Sequence, residues 1–232
     1  MLPILDIRTG GSVYQLLCNT IIIMELLDKA WEQREQVIYK DIFGDFGSSI
    51  YPLTAELFSK QFSCEEIDPR WLHSGVFRCP PDTKRNTWLY VSSGMSNPWE
   101  SEVEEEYSGL GAEFILETSK DESWAIPLVQ SLTAFNHLLS VGHFGDKPPL
   151  DYGDRIPQPI GKKLSHIVMG LPINHPETIK LVSGEVDLIQ IIGITETEFL
   201  YAKEHSSHTL CEKLIEQNIY PITSPDRESA KL

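Results

Sequence analysis

The chain has 232 residues, of which 41% are hydrophobic and 23% charged, the profile of an ordinary globular protein long enough to bury a sizeable core. Nineteen Lys and Arg stand against 34 Asp and Glu, a net charge of −15. Such a surface repels phosphate backbones and anionic lipid, which excludes nucleic acid and membrane as expected partners, and it attracts a basic protein.

Near the N-terminus, residues 13–27 read "VYQLLCNTIIIMELL". Gln15 and Asn19 interrupt this apolar run and Glu25 breaks it, so it is too short for a membrane span. It lacks the basic flank and small-residue cleavage site of a signal peptide. Met24 directly precedes a helical pattern. The expectation is an extension at 1–23 that need not belong to the natural protein, a domain at 24–227 and a short tail at 228–232.

Residues 24–42 predict an amphipathic helix, with Leu26, Leu27, Ala30, Trp31, Arg34, Val37 and Ile38 at helical spacing. "GDFGSS" at 44–49 ends it. Short strands are expected at Ile50–Leu53 and Gly75–Cys79, and a stronger one at Thr87–Ser92. A polar, acidic loop covers 93–111. Ala112–Thr118 alternates, placing Glu113 and Glu117 outward on a strand.

A long helix follows, with Pro127 in its first turn, Leu128, Leu132, Phe135 and Leu139 in one stripe, and Gly142 as its stop. The Pro- and Gly-rich stretch 145–163 reads as an extended loop. Strands are expected at 166–173 and 184–194. The second of these is so continuously apolar that it suits a central strand covered on both faces. Thr195 and Glu198 form a capping-box pair that opens another helix. A further helix at about 207–217 leads to a short strand and a frayed end. The order predicts an α+β fold with a mixed, mostly antiparallel sheet flanked by helices.

Chemical motifs are sparse. "VSSGMSN" at 91–97 lacks the first glycine of a nucleophile elbow and no helix pattern follows it, so Ser92 and Ser93 read as ordinary loop serines. His205, His208 and Cys211 fall at i, i+3, i+6, but zinc needs three or four convergent ligands and no second cluster is apparent. "GLG" at 109–111 precedes a strand, whereas a dinucleotide loop follows one. Cys18, Cys64, Cys79 and Cys211 are widely spaced without a CxxC, which points to a reducing, cytoplasmic setting and, for Cys64 and Cys79, to core thiols. No cofactor is expected.

Four words together carry a resemblance: "WLYVSSGMSNPW" at 88–99, "GLGAEFILET" at 109–118, "LVQSLTAFNHLLSVGHFGDKPPLDYG" at 128–153 and "GEVDLIQIIGITETEF" at 184–199. In their order and spacing the chain resembles the suppressor of fused domain, over roughly residues 25–227. The resemblance implies a non-catalytic, protein-binding module. Animal members regulate Hedgehog signalling by holding zinc-finger transcription factors inactive. Bacterial members of this size resemble stand-alone copies of the first domain and include immunity proteins of toxin systems. The chain stops where animal members continue into a second domain, so binding of that transcription factor is not carried over. By position, the resemblance places the family's peptide-contacting aromatic at Trp99 and its acidic contact at Glu106, with Glu105 as rival.

The expected site is therefore the loop carrying Met95, Pro98, Trp99, Glu105 and Glu106, docking a basic protein. The alternative is a hydrolase on Ser92 or Ser93, or a metal-dependent enzyme using His205 and His208.

Overall fold

The computed structural model describes residues 25–46 and 49–232; the expected extension at 1–23 and part of the "GDFGSS" turn lie outside them. Helix α1 runs over 25–43 and contains a π-helical segment, Gln33–Ile38. The other helices are α2 (Ala55–Phe62), α3 (Ala125–Ser140), α4 (Glu196–Glu204) and α5 (Ser207–Glu216). The strands are β1 (Ile50–Pro52), β2 (Gly75–Cys79), β3 (Trp88–Ser93), β4 (Tyr107–Thr118), β5 (Arg155–Ile160), β6 (Leu164–Gly170), β7 (Thr178–Leu181) and β8 (Gly184–Thr195).

They form one sheet in the order β1-β2-β3-β4-β8-β6-β5, with β7 also paired to β8. The β4–β8 pair is parallel and every other pair is antiparallel. The fold is thus α+β on a mixed, mostly antiparallel sheet, as the order of elements predicts. As expected, β8 is central and covered on both sides, because its alternate residues serve different cores. Ile189 and Ile191 join Tyr90, Phe114 and Leu116 against α3. On the opposite face Val186 and Leu188 join Leu89, Val91 and Ile115 against α1. Further along, Ile192 and Ile194 pack on Ala202 of α4 and Leu210 and Leu214 of α5.

Several elements depart from the expectation. The stripe on α1 does not continue through Val37, which is 60% exposed; the core-facing residues are Leu27, Ala30 and Arg34, then Tyr39 and Phe43. A π segment has about one extra residue per turn, so it shifts the helical register and turns Val37 outward. Glu113 and Glu117 do not face out either: both are buried, because the sheet is covered on both faces. The Pro-rich stretch holds edge strand β5, whose Pro157 and Pro159 remove donors from an unpaired edge. Helix α2, capped by Thr54, and strand β7 are further elements absent from the expectation.

The C-terminal end is not frayed. Arg227 pairs with buried Glu198, and the Ala230 amide donates to the same carboxylate at 2.8 Å. Glu198 also completes the expected capping box with Thr195. The short strand expected after α5 is reduced to an isolated bridge between Glu117 and Ile222. Among the described residues no helix is long and apolar enough to cross a membrane.

Candidate functional site

The turn after β3 is held by buried charge. The Glu113 carboxylate accepts hydrogen bonds from the Gly94 amide (2.8 Å), the Ser96 amide (3.0 Å), Ser96 Oγ (2.7 Å) and Ser92 Oγ (2.5 Å). An ion this deep is tolerated because several donors replace its lost water. From α1, buried Arg34 donates to Ser93 Oγ, Ser96 Oγ and Asn97 Oδ1 at 2.9–3.0 Å and to Glu35 Oε1 at 3.3 Å. The π segment lets the consecutive residues Arg34 and Glu35 both face this turn, where Ser93 bridges them. Tyr39 adds a bond to the Ser92 carbonyl at 3.0 Å. Burial raises the Tyr39 phenol well above its ordinary value, and the Glu113 charge pushes it the same way.

The "GLG" word closes the site from β4. Tyr107 pairs with Glu185, but Ala112 pairs with Asp187, so the strand bulges between them. Gly109 in the bulge has φ +58, and a Cβ there would stand 2.6 Å from the carbonyl oxygens of Met95 and Asn97. Glycine is required on both counts. The bulge is tied to the turn by Leu110 N–H donating to the Met95 carbonyl (2.8 Å) and Ser108 Oγ donating to that of Ser96 (2.6 Å).

Between turn, bulge, the 3₁₀ turn Pro69–His73 and the end of α3 lies a cleft of about 300 Å³. Its apolar wall is Trp71, Met95, Pro98, Trp99, Leu110 and Val141. Asp68, Arg70, Glu100 and Glu105 supply charge. Arg70 binds Asp68 at 2.5–2.8 Å and also Glu100. The bond from Arg70 lowers the Asp68 pKa, and both carboxylates raise that of Arg70. His137 bonds Ser74 Oγ at 2.9 Å and stacks on Trp71 at 5.5 Å. Burial pushes its pKa down to about 4 against the pull of Asp68, so it is neutral at pH 7.

Four of the five expected site residues meet here: Met95, Pro98, Trp99 and Glu105. Met95 is 1% exposed and forms the floor. Trp99 is half-buried, its ring 5.6 Å from that of His73. Glu105 accepts from Ser101 Oγ at 2.9 Å. Glu106 is exposed but does not line the cleft; its backbone carbonyl accepts from the Glu185 amide at 2.9 Å. The sequence reading missed Asp68, Arg70, Trp71 and His137. Only Asp68, before Pro69 at a turn start, carried a local signal.

Asn97 has one further feature. Arg34 can only donate, which fixes Oδ1 toward it; Nδ2 is then buried without an acceptor.

The residues of the alternative lie elsewhere. Ser92 and Ser93 are buried in the Glu113 and Arg34 network. His205 and His208 are exposed beside Glu204 and Glu212. Cys64 is half-buried; burial pushes the thiols of Cys79 and Cys211 up to about 12, which disfavours thiolate chemistry.

The sheet and its helices define an α+β domain of the kind the resemblance implies. The chain belongs to the suppressor of fused protein family, whose profile matches residues 70–228. Among solved structures, a suppressor of fused homologue from Neisseria gonorrhoeae is 17% identical with a TM-score of 0.60, covering 90% of this chain and 98% of that one. Drosophila Suppressor of Fused is 21% identical with a TM-score of 0.53 over 68% of this chain, which spans 42% of the Drosophila chain. The structure of a Sufu–Fu complex is 19% identical with a TM-score of 0.53, covering 76% of this chain and 88% of that one. No curated protein matches the chain.

Proposed function

We propose that the chain is a non-catalytic protein-binding module that sequesters a basic protein partner at the Trp99 cleft, in a regulatory or immunity-type role in the cytoplasm. The carrying observation is the cleft itself. It combines a half-buried tryptophan, a rigid apolar floor and carboxylates at its edge, the composition of an interface anchor. The net charge of −15 and the exposed Glu102, Glu104 and Glu106 favour encounter with a basic partner. Membership of the family and the existence of a Sufu–Fu complex support a protein ligand.

The experiment is affinity capture from native lysate on the wild-type chain and on a Glu105→Lys, Glu106→Lys variant. One basic protein should be retained by the wild type and depleted on the variant. Equal retention by both would refute the acidic loop as the dock. The hydrolase alternative has less behind it, since the serine hydroxyls sit inside the core network rather than at a cleft.

A further inference from the structure

A second cleft, of about 300 Å³, opens between the 171–177 loop, β6 and α5, and shares no residue with the first. Its interior is apolar: Met169, Cys211 and Tyr220 form the floor. Its rim exposes three large apolar side chains, Leu171 (38%), Ile173 (46%) and Ile215 (40%). Twelve large apolar residues are exposed among the described residues, so a quarter of them converge on this one opening. Single exposed apolar residues need no explanation, but a group around a concavity marks a contact surface.

The charge at the opening selects the occupant. Glu177 and Glu212 line it. Glu212 has His208 at 3.5 Å, while Glu177 meets no cation among the described residues. The carboxylates leave the apolar floor with a negative border, in a chain whose net charge is already −15.

We infer that this cleft is a second protein-docking surface, and that it takes one large apolar side chain from a segment whose neighbouring residues are Lys or Arg. The apolar side chain fills the space over Met169 and Tyr220, and the flanking cations meet Glu177 and Glu212. The inference rests on this cleft alone and stands or falls independently of the Trp99 site.

Panning a phage-displayed random-peptide library on the full chain tests it. Recovered peptides should share a large apolar residue beside Lys or Arg, and their binding should weaken as salt rises. Ile215→Glu should weaken them by about tenfold or more, Glu177→Lys should weaken them less, and Trp99→Ala should leave them unchanged. Ile173→Glu replaces Ile215→Glu if that variant loses its cooperative thermal transition. Recovery of no peptides, recovery of peptides without basic residues, or full binding to the rim variants would overturn the inference. So would a concentration-dependent dimer abolished by Ile215→Glu, which would assign the face to a second copy of the chain.

Discussion

Glu113 is a buried carboxylate whose bonds set the turn that carries Trp99. Removing it leaves the buried Gly94 and Ser96 amides and the Ser92 and Ser96 hydroxyls without their acceptor. With several buried donors left unpaired, Glu113→Ala should cost about 3 kcal/mol or more of folding stability in urea denaturation, whereas Glu106→Lys, at an exposed site, should stay within about 0.5 kcal/mol. A small loss for Glu113→Ala would mean that the turn is held by backbone geometry alone. His137 gives a pH signature. Its folded pKa is depressed from 6.5 to about 4, so the unfolded chain takes up the proton first. Stability should fall as pH drops through that interval and level off below it. Urea midpoints at neutral pH and within the interval should differ less for His137→Gln than for the wild type. An identical slope in both would place the titrating group elsewhere.

At the scale of elements, Glu198 of α4 gathers both Arg227 and the Ala230 amide near the chain's end. Burial works to raise the Glu198 pKa, but the bonds from Arg227 and from the Ala230 and Thr195 amides outweigh it, and the net shift is downward. This contribution is present above the unfolded carboxylate value and is lost as pH falls through the lower folded value. Arg227→Ala should remove much of it, seen as faster hydrogen exchange in α4 and residues 227–231 at neutral pH with little change in α1. Protection unchanged in both regions would contradict the anchoring role.

What could be read from the sequence also sorts at this scale. The capping box of Thr195 and Glu198, the stripe of α3 and the apolar run of β8 are local patterns, and they form as such. The π segment cannot be seen in periodicity, because one extra residue per turn looks like noise in the stripe around Val37. Strand alternation misplaced Glu113 and Glu117, since it assumes one solvated face. For the candidate site, Trp99, Pro98, Met95 and Glu105 were legible because they fall in one loop of the sequence, beside the family words. Asp68, Arg70, Trp71 and His137 arrive from other elements and converge only in space.

For the whole molecule, the proposed function has the acidic surface govern encounter and the Trp99 cleft govern retention. The association rate with a basic partner should fall steeply as salt rises, while dissociation changes little. A salt-independent association rate would mean that charge does not steer the encounter. In the proposed function Trp99 anchors the partner without holding the fold. The most direct test of that role is the affinity of the captured partner for the wild type and for Trp99→Ala, measured by titration calorimetry alongside urea denaturation of both. Binding weakened by about 2 kcal/mol, with an unchanged unfolding midpoint, is the expected result. Equal affinities, or a variant that unfolds, would contradict it.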